Sequence, residues 1–260
     1  MSYAQTLLII CPLVFFAGVV DSVAGGGGII SLPAYLLAGL PIHTAYGTNK
    51  MANCWGTAIA AGKFYKSGNI RLGPALVSAA GALTGSWCGT QLALFLPEKY
   101  LQISLMVILP CVAVFLLCNK NFGREQAAEP SFGSGSAVLL CALIGLVVGV
   151  YDGFFGPGTG TFLVLAFTGI LKMPIIQATG NAKAVNLASN LASLAAYITG
   201  GKVAFAVGIP AALCSIAGNY LGASLAIKKG ARFIRPMVIT AIALLFGKLL
   251  YDLVSGGFSL

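Results

Sequence analysis

The stretch Asp21–Pro33 reads D-S-V-A-G-G-G-G-I-I-S-L-P, and the motif G-T-N-K-M-A-N follows at Gly47–Asn53. A carboxylate ends one apolar segment, four glycines follow, and a short apolar run leads to a lysine flanked by asparagines. The same order returns with Asp152, G-P-G-T-G at Gly156–Gly160 and G-N-A-K-A-V-N at Gly180–Asn186. The two aspartates are 131 residues apart and the later motifs 133, so the second loop has two extra residues. A repeat of half the chain is typical of transporters built from two related halves.

The composition excludes a soluble domain. The chain has 260 residues, of which 58% are hydrophobic and 8% charged, whereas a soluble domain has about 25% charged residues. Eight apolar segments are long enough to cross a hydrocarbon layer of about 30 Å. They are Thr6–Ala24, Tyr46–Tyr65, Leu72–Leu96, Tyr100–Leu117, Ser134–Tyr151, Gln177–Thr199, Val203–Ile227 and Phe233–Leu253. Two shorter apolar runs, Ile29–Leu40 and Thr161–Leu171, each follow a glycine cluster.

These segments predict an all-α membrane protein made of two repeated halves. Each half has four full-length apolar segments and one short half-helix after a glycine-rich turn, which gives eight to ten membrane segments in all. We expect the first membrane repeat at residues 1–118, a polar cytoplasmic linker at 119–133 and the second repeat at 134–260. Pro and Gly in the linker interrupt any helix there.

Loop charges favour an inverted arrangement of the two halves. With ten crossings, ten of twelve loop lysines and arginines fall on one side of the membrane, and only Lys99 and Lys202 fall on the other. With eight crossings, the same twelve residues divide six and six. Because cytoplasmic loops retain Lys and Arg, the first arrangement is favoured, with the uncharged amino terminus outside. The net charge of +9 therefore reflects membrane topology, and nucleic acid is not expected as a partner.

The glycine clusters are candidates for binding an anion. Glycine lets the chain turn sharply, and the helix that starts after it presents the positive end of its dipole and free N–H groups. The alternative is that these glycines only permit close helix packing. The candidate residues are Gly25, Gly26, Gly27 and Gly28 in the first half, and Gly156, Gly158, Thr159 and Gly160 in the second.

Lys50 and Lys183 are single cations in segments that are otherwise nearly free of charge. An ionisable group within a membrane usually faces a cavity or a partner, and a substrate anion would be such a partner. Amide side chains accompany each lysine and either contact the substrate or join helices by hydrogen bonds. They are Asn49 and Asn53 in the first half, and Asn181 and Asn186 in the second. Spacing by three puts Lys50 with Asn53 on one helix face, as it does the second pair, and Asn190 continues that second face.

Asp21 and Asp152 each end an apolar segment just before the glycines. Three roles are open to them: an ion pair with the lysines, a proton carrier for coupled transport, or a cap on the free N–H groups of the turn. Seven cysteines stand singly in apolar surroundings, and the one histidine has no metal-ligating neighbours, so we expect no metal and no cofactor.

In these features the sequence resembles the sulfite exporter TauE/SafE family of bacterial membrane transporters. The matching features are the turn G-G-G-G-I-I-S-L-P, the G-x-G-x-G turn at Gly156–Gly160, and the G-T-N-K-x-x-N and G-N-A-K-x-x-N stretches. The resemblance implies a multi-pass protein of the bacterial inner membrane that moves small anions, typically sulfite, sulfonates or other organic sulfur compounds. Pro157 and Thr159 replace glycines of the first cluster, so the two halves need not bind alike.

The first functional hypothesis is therefore a secondary transporter for small sulfur-containing anions, with possible proton or sodium coupling. The alternatives are an uncoupled anion channel and a transporter of organic anions without sulfur. An enzyme is not expected, because the sequence offers neither a metal set nor a Ser/His/Asp collection. The expected partners are the anion and the membrane lipid.

Overall fold

The computed structural model describes residues 2–101, 135–230 and 232–233. That part of the chain is helical and contains no strand. Its eight principal helices, numbered here in chain order, are α1 (Tyr3–Ala24), α2 (Gly28–Leu37), α3 (Ile42–Lys66), α4 (Leu72–Phe95), α5 (Gly135–Phe154), α6 (Thr159–Gly169), α7 (Ile175–Thr199) and α8 (Phe205–Lys229).

The predicted apolar segments in the described residues are confirmed as helices, each within a few residues of its predicted ends. Proline at the N-cap starts α3 at Pro41 and α7 at Pro174, where its missing N–H costs nothing. By length and composition, α1, α5 and α8 can each cross a membrane, while α2 and α6 are shorter apolar helices. The predicted segments at 100–117 and 233–253, and the linker at 119–133, lie almost wholly outside the described residues.

The long helices form two sets that run in opposite directions. α1, α3 and α8 run one way. The Tyr3 hydroxyl donates to the Ala206 carbonyl at 2.8 Å near the starts of α1 and α8, and the Ala204 N–H donates to the Thr48 hydroxyl near the starts of α8 and α3. α4, α5 and α7 run the other way. α3 and α7 cross antiparallel at the centre, where Lys50 meets Asn190.

Glycines let these helices approach closely. A Cβ atom at Gly85 of α4 would overlap the Leu146 carbonyl of α5, and one at Gly218 of α8 would overlap the Phe15 carbonyl of α1. Small residues at such positions bring helix backbones into direct contact, which is how apolar helices associate without a hydrophobic driving force. The same kind of glycine-to-backbone contact therefore joins α4 to α5 and α1 to α8.

The two short helices start at the centre of the molecule and leave it in opposite directions. After the turn at Gly25, which has a left-handed backbone (φ 75°), α2 folds back along α1, so that Leu32 and Tyr35 pack with Val14. The turn before α6 lies directly against the first, because a Cβ atom at Gly160 would overlap the Gly25 Cα. Ten residues of helix reach only about 15 Å, so α2 extends through about half a membrane.

Basic residues gather at one end of the bundle. Near that end of the described chain lie Lys63, Lys66, Arg71, Lys172, Lys228, Lys229 and Arg232. Of the described lysines and arginines, only Lys99 and Lys202 lie near the opposite end. Two more lysines, Lys50 and Lys183, are buried between the two ends, where the bundle has its few interior charges.

Candidate functional site

Two buried ion pairs lie at the centre of the molecule. Lys50 Nζ of α3 lies 2.7 Å from Asp152 Oδ2 of α5, and Lys183 Nζ of α7 lies 2.9 Å from Asp21 Oδ2 of α1. Each lysine therefore pairs with the aspartate of the other half of the sequence. Of the three roles open to the aspartates, the ion pair is the one present in both halves.

The lysines reach the centre because each lies in the third turn of its helix. A lysine that far from the helix start can turn its amine inward instead of extending it to the membrane surface. Lys50 is 3% exposed and Lys183 is fully buried. Two charges buried in this way need opposite charges and hydrogen bonds nearby, and the aspartates supply both.

The pair containing Asp152 has more hydrogen bonds than the other. The Thr159 hydroxyl at the start of α6 donates to Asp152 Oδ1 at 2.8 Å, and the Ser189 hydroxyl donates to Oδ2. Lys50 also donates to Asn190 Oδ1 at 3.2 Å. Asp21, in contrast, accepts a side-chain hydrogen bond only from Lys183 among the described residues. The two pairs are thus similar in geometry and different in polarity.

The glycine turns bring unbonded N–H groups next to these charges. Within the described residues, the backbone N–H groups of Gly26, Gly27 and Gly28 donate no hydrogen bond, and neither does that of Gly160. The amino ends of α2 and α6 therefore meet at the centre, and both present the positive end of a helix dipole there. Such a pair of helix ends favours a negative charge between them.

A small polar cavity lies between these elements. Its volume is about 20 Å³, which is room for about one water molecule. The lining residues are Asp21, Gly25, Gly28, Tyr46, Asn49, Lys50, Asn53, Asp152, Phe155, Gly156, Thr159, Asn186 and Asn190. Asn49 Oδ1 and the Tyr46 hydroxyl have no hydrogen-bond partner among the described residues, so the cavity contains polar atoms that a ligand can satisfy.

Most of the predicted site residues line this cavity, and six do not. Four of the six belong to the glycine turns, and they are Gly26, Gly27, Gly158 and Gly160. Lys183 lies behind Asp21. Asn181 lies away from the cavity, because its Oδ1 accepts the backbone N–H of Arg71 at 2.8 Å at the start of α4 and its amide contacts Met173 Sδ at 3.2 Å. Its amide therefore joins two helices, which was the alternative interpretation of the asparagines.

Two lining residues, Tyr46 and Phe155, were missed by sequence reasoning. Both are aromatic residues in apolar surroundings, which a sequence does not distinguish from packing residues. A usable signal existed for Tyr46, since it precedes Asn49 and Lys50 by three and four positions and so shares their helix face. In the described part of the chain, no group of three or more His, Cys, Asp or Glu residues is arranged to hold a metal ion.

The chain is similar to a known family and to known proteins that are described as membrane transporters. A family model described as "Sulfite exporter TauE/SafE" matches residues 10–249. The chain is 33% identical to the probable membrane transporter protein YfcA of Escherichia coli K12, over 97% of this chain and 95% of that protein. It is also 33% identical to a probable membrane transporter protein of Haemophilus influenzae, over 92% of each chain. Bacillus subtilis YdhB, another probable membrane transporter protein, is 26% identical over 92% of this chain and all of its own length. No solved structure shows a significant match.

Proposed function

Because the chain belongs to the sulfite exporter TauE/SafE family of membrane transporters, we propose that it is a secondary transporter that moves small sulfur-containing anions across the bacterial inner membrane. The observation that carries this proposal is the meeting of two opposed helix amino ends at a buried cavity that contains Lys50. Two dipole ends and a cation favour a negative charge at that point, and the amides beside them can hydrogen-bond its oxygens.

An anion that enters would take hydrogen bonds from Lys50 and from the amides of Asn49 and Asn53. The unbonded N–H group of Gly28 is a further donor at the cavity wall. Sulfite and sulfonates offer three oxygens in a pyramid, which several donors arranged around a point can bind at once. In this proposal Lys50, Asn49 and Asn53 are donors at the cavity wall, and the glycine turns support that wall.

The cavity must widen before it can accept such an anion. Its volume of about 20 Å³ holds one water and not a sulfonate. In this conformation the charged side chains of the site are engaged in their own ion pairs. We therefore expect transport to require movement of one group of helices against another, as in transporters with alternating access.

We further propose that the two halves form an inverted repeat. In support, positions 133 residues apart make matching contacts: the Thr48 hydroxyl accepts the Ala204 N–H at 3.0 Å, and the Asn181 amide oxygen accepts the Arg71 N–H at 2.8 Å. The helices α3 and α7, which contain the two lysine motifs, run antiparallel. Exchange of such contacts between two arrangements would open the cavity first to one side and then to the other.

The end of the bundle rich in lysine and arginine is proposed to face the cytoplasm. Seven basic residues lie near that end in the described chain and two near the other. Cytoplasmic loops of membrane proteins retain such residues, so the amino terminus would lie outside. The topology is testable by reacting single cysteines with an impermeant reagent at Ser67 and at Lys202. Only the residue at 202 should react in intact spheroplasts.

The experiment that tests anion binding is a thermal-shift screen of the purified protein. The panel contains sulfite, sulfate, thiosulfate, taurine, sulfoacetate and simple carboxylates. An anion present at 100 times its Kd stabilises the fold by about 2.7 kcal/mol. We expect a sulfur-containing anion to raise the melting temperature most. Stabilisation by carboxylates alone would favour the transporter of sulfur-free organic anions, and no stabilisation by any member would overturn the proposal.

Lys50→Ala should abolish that stabilisation, because it removes the cation that faces the cavity. The matched control is Lys66→Ala, which removes an exposed lysine from the same helix and should bind as the wild type does. Uphill uptake into liposomes, driven by a proton or sodium gradient, separates the transporter from an uncoupled channel. Conduction far above about 1,000 ions per second would favour the channel, since domain movements take microseconds to milliseconds.

A further inference from the structure

We propose that the Lys50–Asp152 pair, and not the Lys183–Asp21 pair, opens to admit the anion, and that Asp152 takes up a proton as it does so. One proton would then travel with each monovalent anion. This inference rests on the proposed function, because it assigns the coupling ion and the coupling residue of the same site.

Access to the cavity distinguishes the two pairs. Lys50 and Asp152 both line it, whereas Lys183 does not. Lys50 also has a second acceptor, Asn190 Oδ1 at 3.2 Å, which holds its amine in place when the bond to Asp152 breaks. An anion that enters can therefore replace the carboxylate at Lys50, while the amine of Lys183 remains behind Asp21.

Charge balance then requires a proton. The two lysines and two aspartates at the centre sum to zero, and a monovalent anion brings the total to minus one. An uncompensated charge in a buried site is strongly unfavourable. Protonation of Asp152 at the moment it loses Lys50 restores neutrality, so anion and proton enter together.

A row of buried hydroxyl groups leads to Asp152. The Ser189 hydroxyl, which donates to the carboxylate, lies 3.3 Å from the Ser86 hydroxyl. The Ser86 hydroxyl lies 2.6 Å from the Ser193 hydroxyl. The Thr90 hydroxyl donates to the Ser193 hydroxyl at 2.9 Å. A hydroxyl both donates and accepts hydrogen bonds. Thr90 at the far end of the row is fully buried, so the proton would come from a water that reaches Thr90 when the helices move. Each hydroxyl then gives up one proton and gains another, and Asp152 Oδ2 gains one.

The other half lacks this row. The positions that correspond to Ser86, Ser189, Ser193 and Thr90 by the 133-residue offset have no hydroxyl group, and they are Asn219, Gly56, Ala60 and Ala223. Asp21 accordingly has Lys183 as its side-chain donor among the described residues. The polar residues that can deliver a proton are therefore specific to Asp152.

Charged and titratable groups face Asp152 from several helices. Lys50, Tyr46 and Cys54 face it from α3, Asp21 from α1, Tyr197 from α7, and Tyr151 from its own helix. α6 contributes the Thr159 hydroxyl and α4 contributes hydroxyls through Ser189. Lys50 is the cation in direct contact with Asp152, so its departure leaves a buried carboxylate without its counter-charge.

Proton uptake on binding tests this inference directly. Wild-type protein in weakly buffered detergent with a pH indicator is mixed with isethionate, a permanently monovalent sulfonate, and with each monovalent panel anion that raises the melting temperature. We expect about one proton taken up per anion bound. Binding without proton uptake overturns the inference and leaves the proposed function standing. If isethionate and the monovalent panel anions all fail to bind, the inference falls. If no member of the whole panel binds, the proposed function falls as well.

Matched variants assign the proton to one carboxylate. Asp152→Asn should bind anion without proton uptake, whereas the double variant Lys183→Met with Asp21→Leu, which leaves the charge balance at zero, should still take up about one proton for each anion it binds. In liposomes a gradient of one pH unit should raise wild-type accumulation about tenfold, and Asp152→Asn should lose that dependence. Should Asp152→Asn fail to fold, Ser193→Ala provides the second test: slower proton uptake at unchanged stoichiometry supports the row, and an unchanged rate overturns it.

Discussion

The surroundings of Asp21 and Asp152 are alike in backbone and different in side chains. Each aspartate ends a helix before a glycine turn and pairs with the lysine of the other half at under 3 Å. Around Asp152 the neighbouring helices contribute hydroxyls from Ser189 and Thr159, whereas Asp21 has glycine and alanine at most of the matching positions. The difference teaches that the shared backbone forms the site and that unequal polarity gives the two ion pairs different uses.

The contact between the backbones of the two glycine turns is expected to matter most for both ion pairs. The largest effect is expected from Gly160→Ala, because its Cβ atom would overlap the Gly25 Cα and force the two turns apart. We expect loss of folded protein and of anion binding, measured by size-exclusion elution and thermal shift. Gly62→Ala, at a helical glycine with open space around it, is the control and should be neutral or slightly stabilising. Normal binding by Gly160→Ala would contradict the close contact of the turns.

The Lys183–Asp21 pair is expected to act mainly in stability. Lys183→Met leaves Asp21 charged and without its donor, and breaking a buried pair in this way costs about 3 to 5 kcal/mol. The double variant Lys183→Met with Asp21→Leu removes both charges and should recover most of that loss. Denaturant unfolding in detergent measures the free energy of unfolding of the single and the double variant. If the single variant is as stable as the wild type, the pair is not a structural element and the contrast between the two sides fails.

The smallest effects are expected where the two sides are most alike. Asn181→Ala removes the acceptor of the Arg71 N–H, and Thr48→Val removes the acceptor of the Ala204 N–H. Each should lower the free energy of unfolding by about 1 kcal/mol, because one hydrogen bond is lost. Anion affinity should stay unchanged in both. A large loss of anion affinity in Asn181→Ala alone would indicate that Asn181 belongs to the binding site.

Much of the fold could be predicted because it depends on local patterns. Apolar length located the eight described helices, and the glycine clusters located the starts of α2 and α6 within about two residues. Lys50, Asn53 and Asn186 were chosen because a polar side chain within an apolar segment needs a partner, and all three line the cavity. Asn181 satisfied the same criterion and lies elsewhere, since a buried amide is equally stable when it binds a backbone N–H.

By itself, the sequence determined that the chain is helical and apolar, where its helices begin and end, and that a few charges must be buried. These follow from the balance of local apolar and polar residues, which each segment contains in full. Only the tertiary structure decided which lysine pairs with which aspartate and that Lys183 lies behind the cavity while Lys50 faces it. Those facts depend on contacts between residues more than 100 positions apart, which arise when close glycine packing fixes the distances between helices.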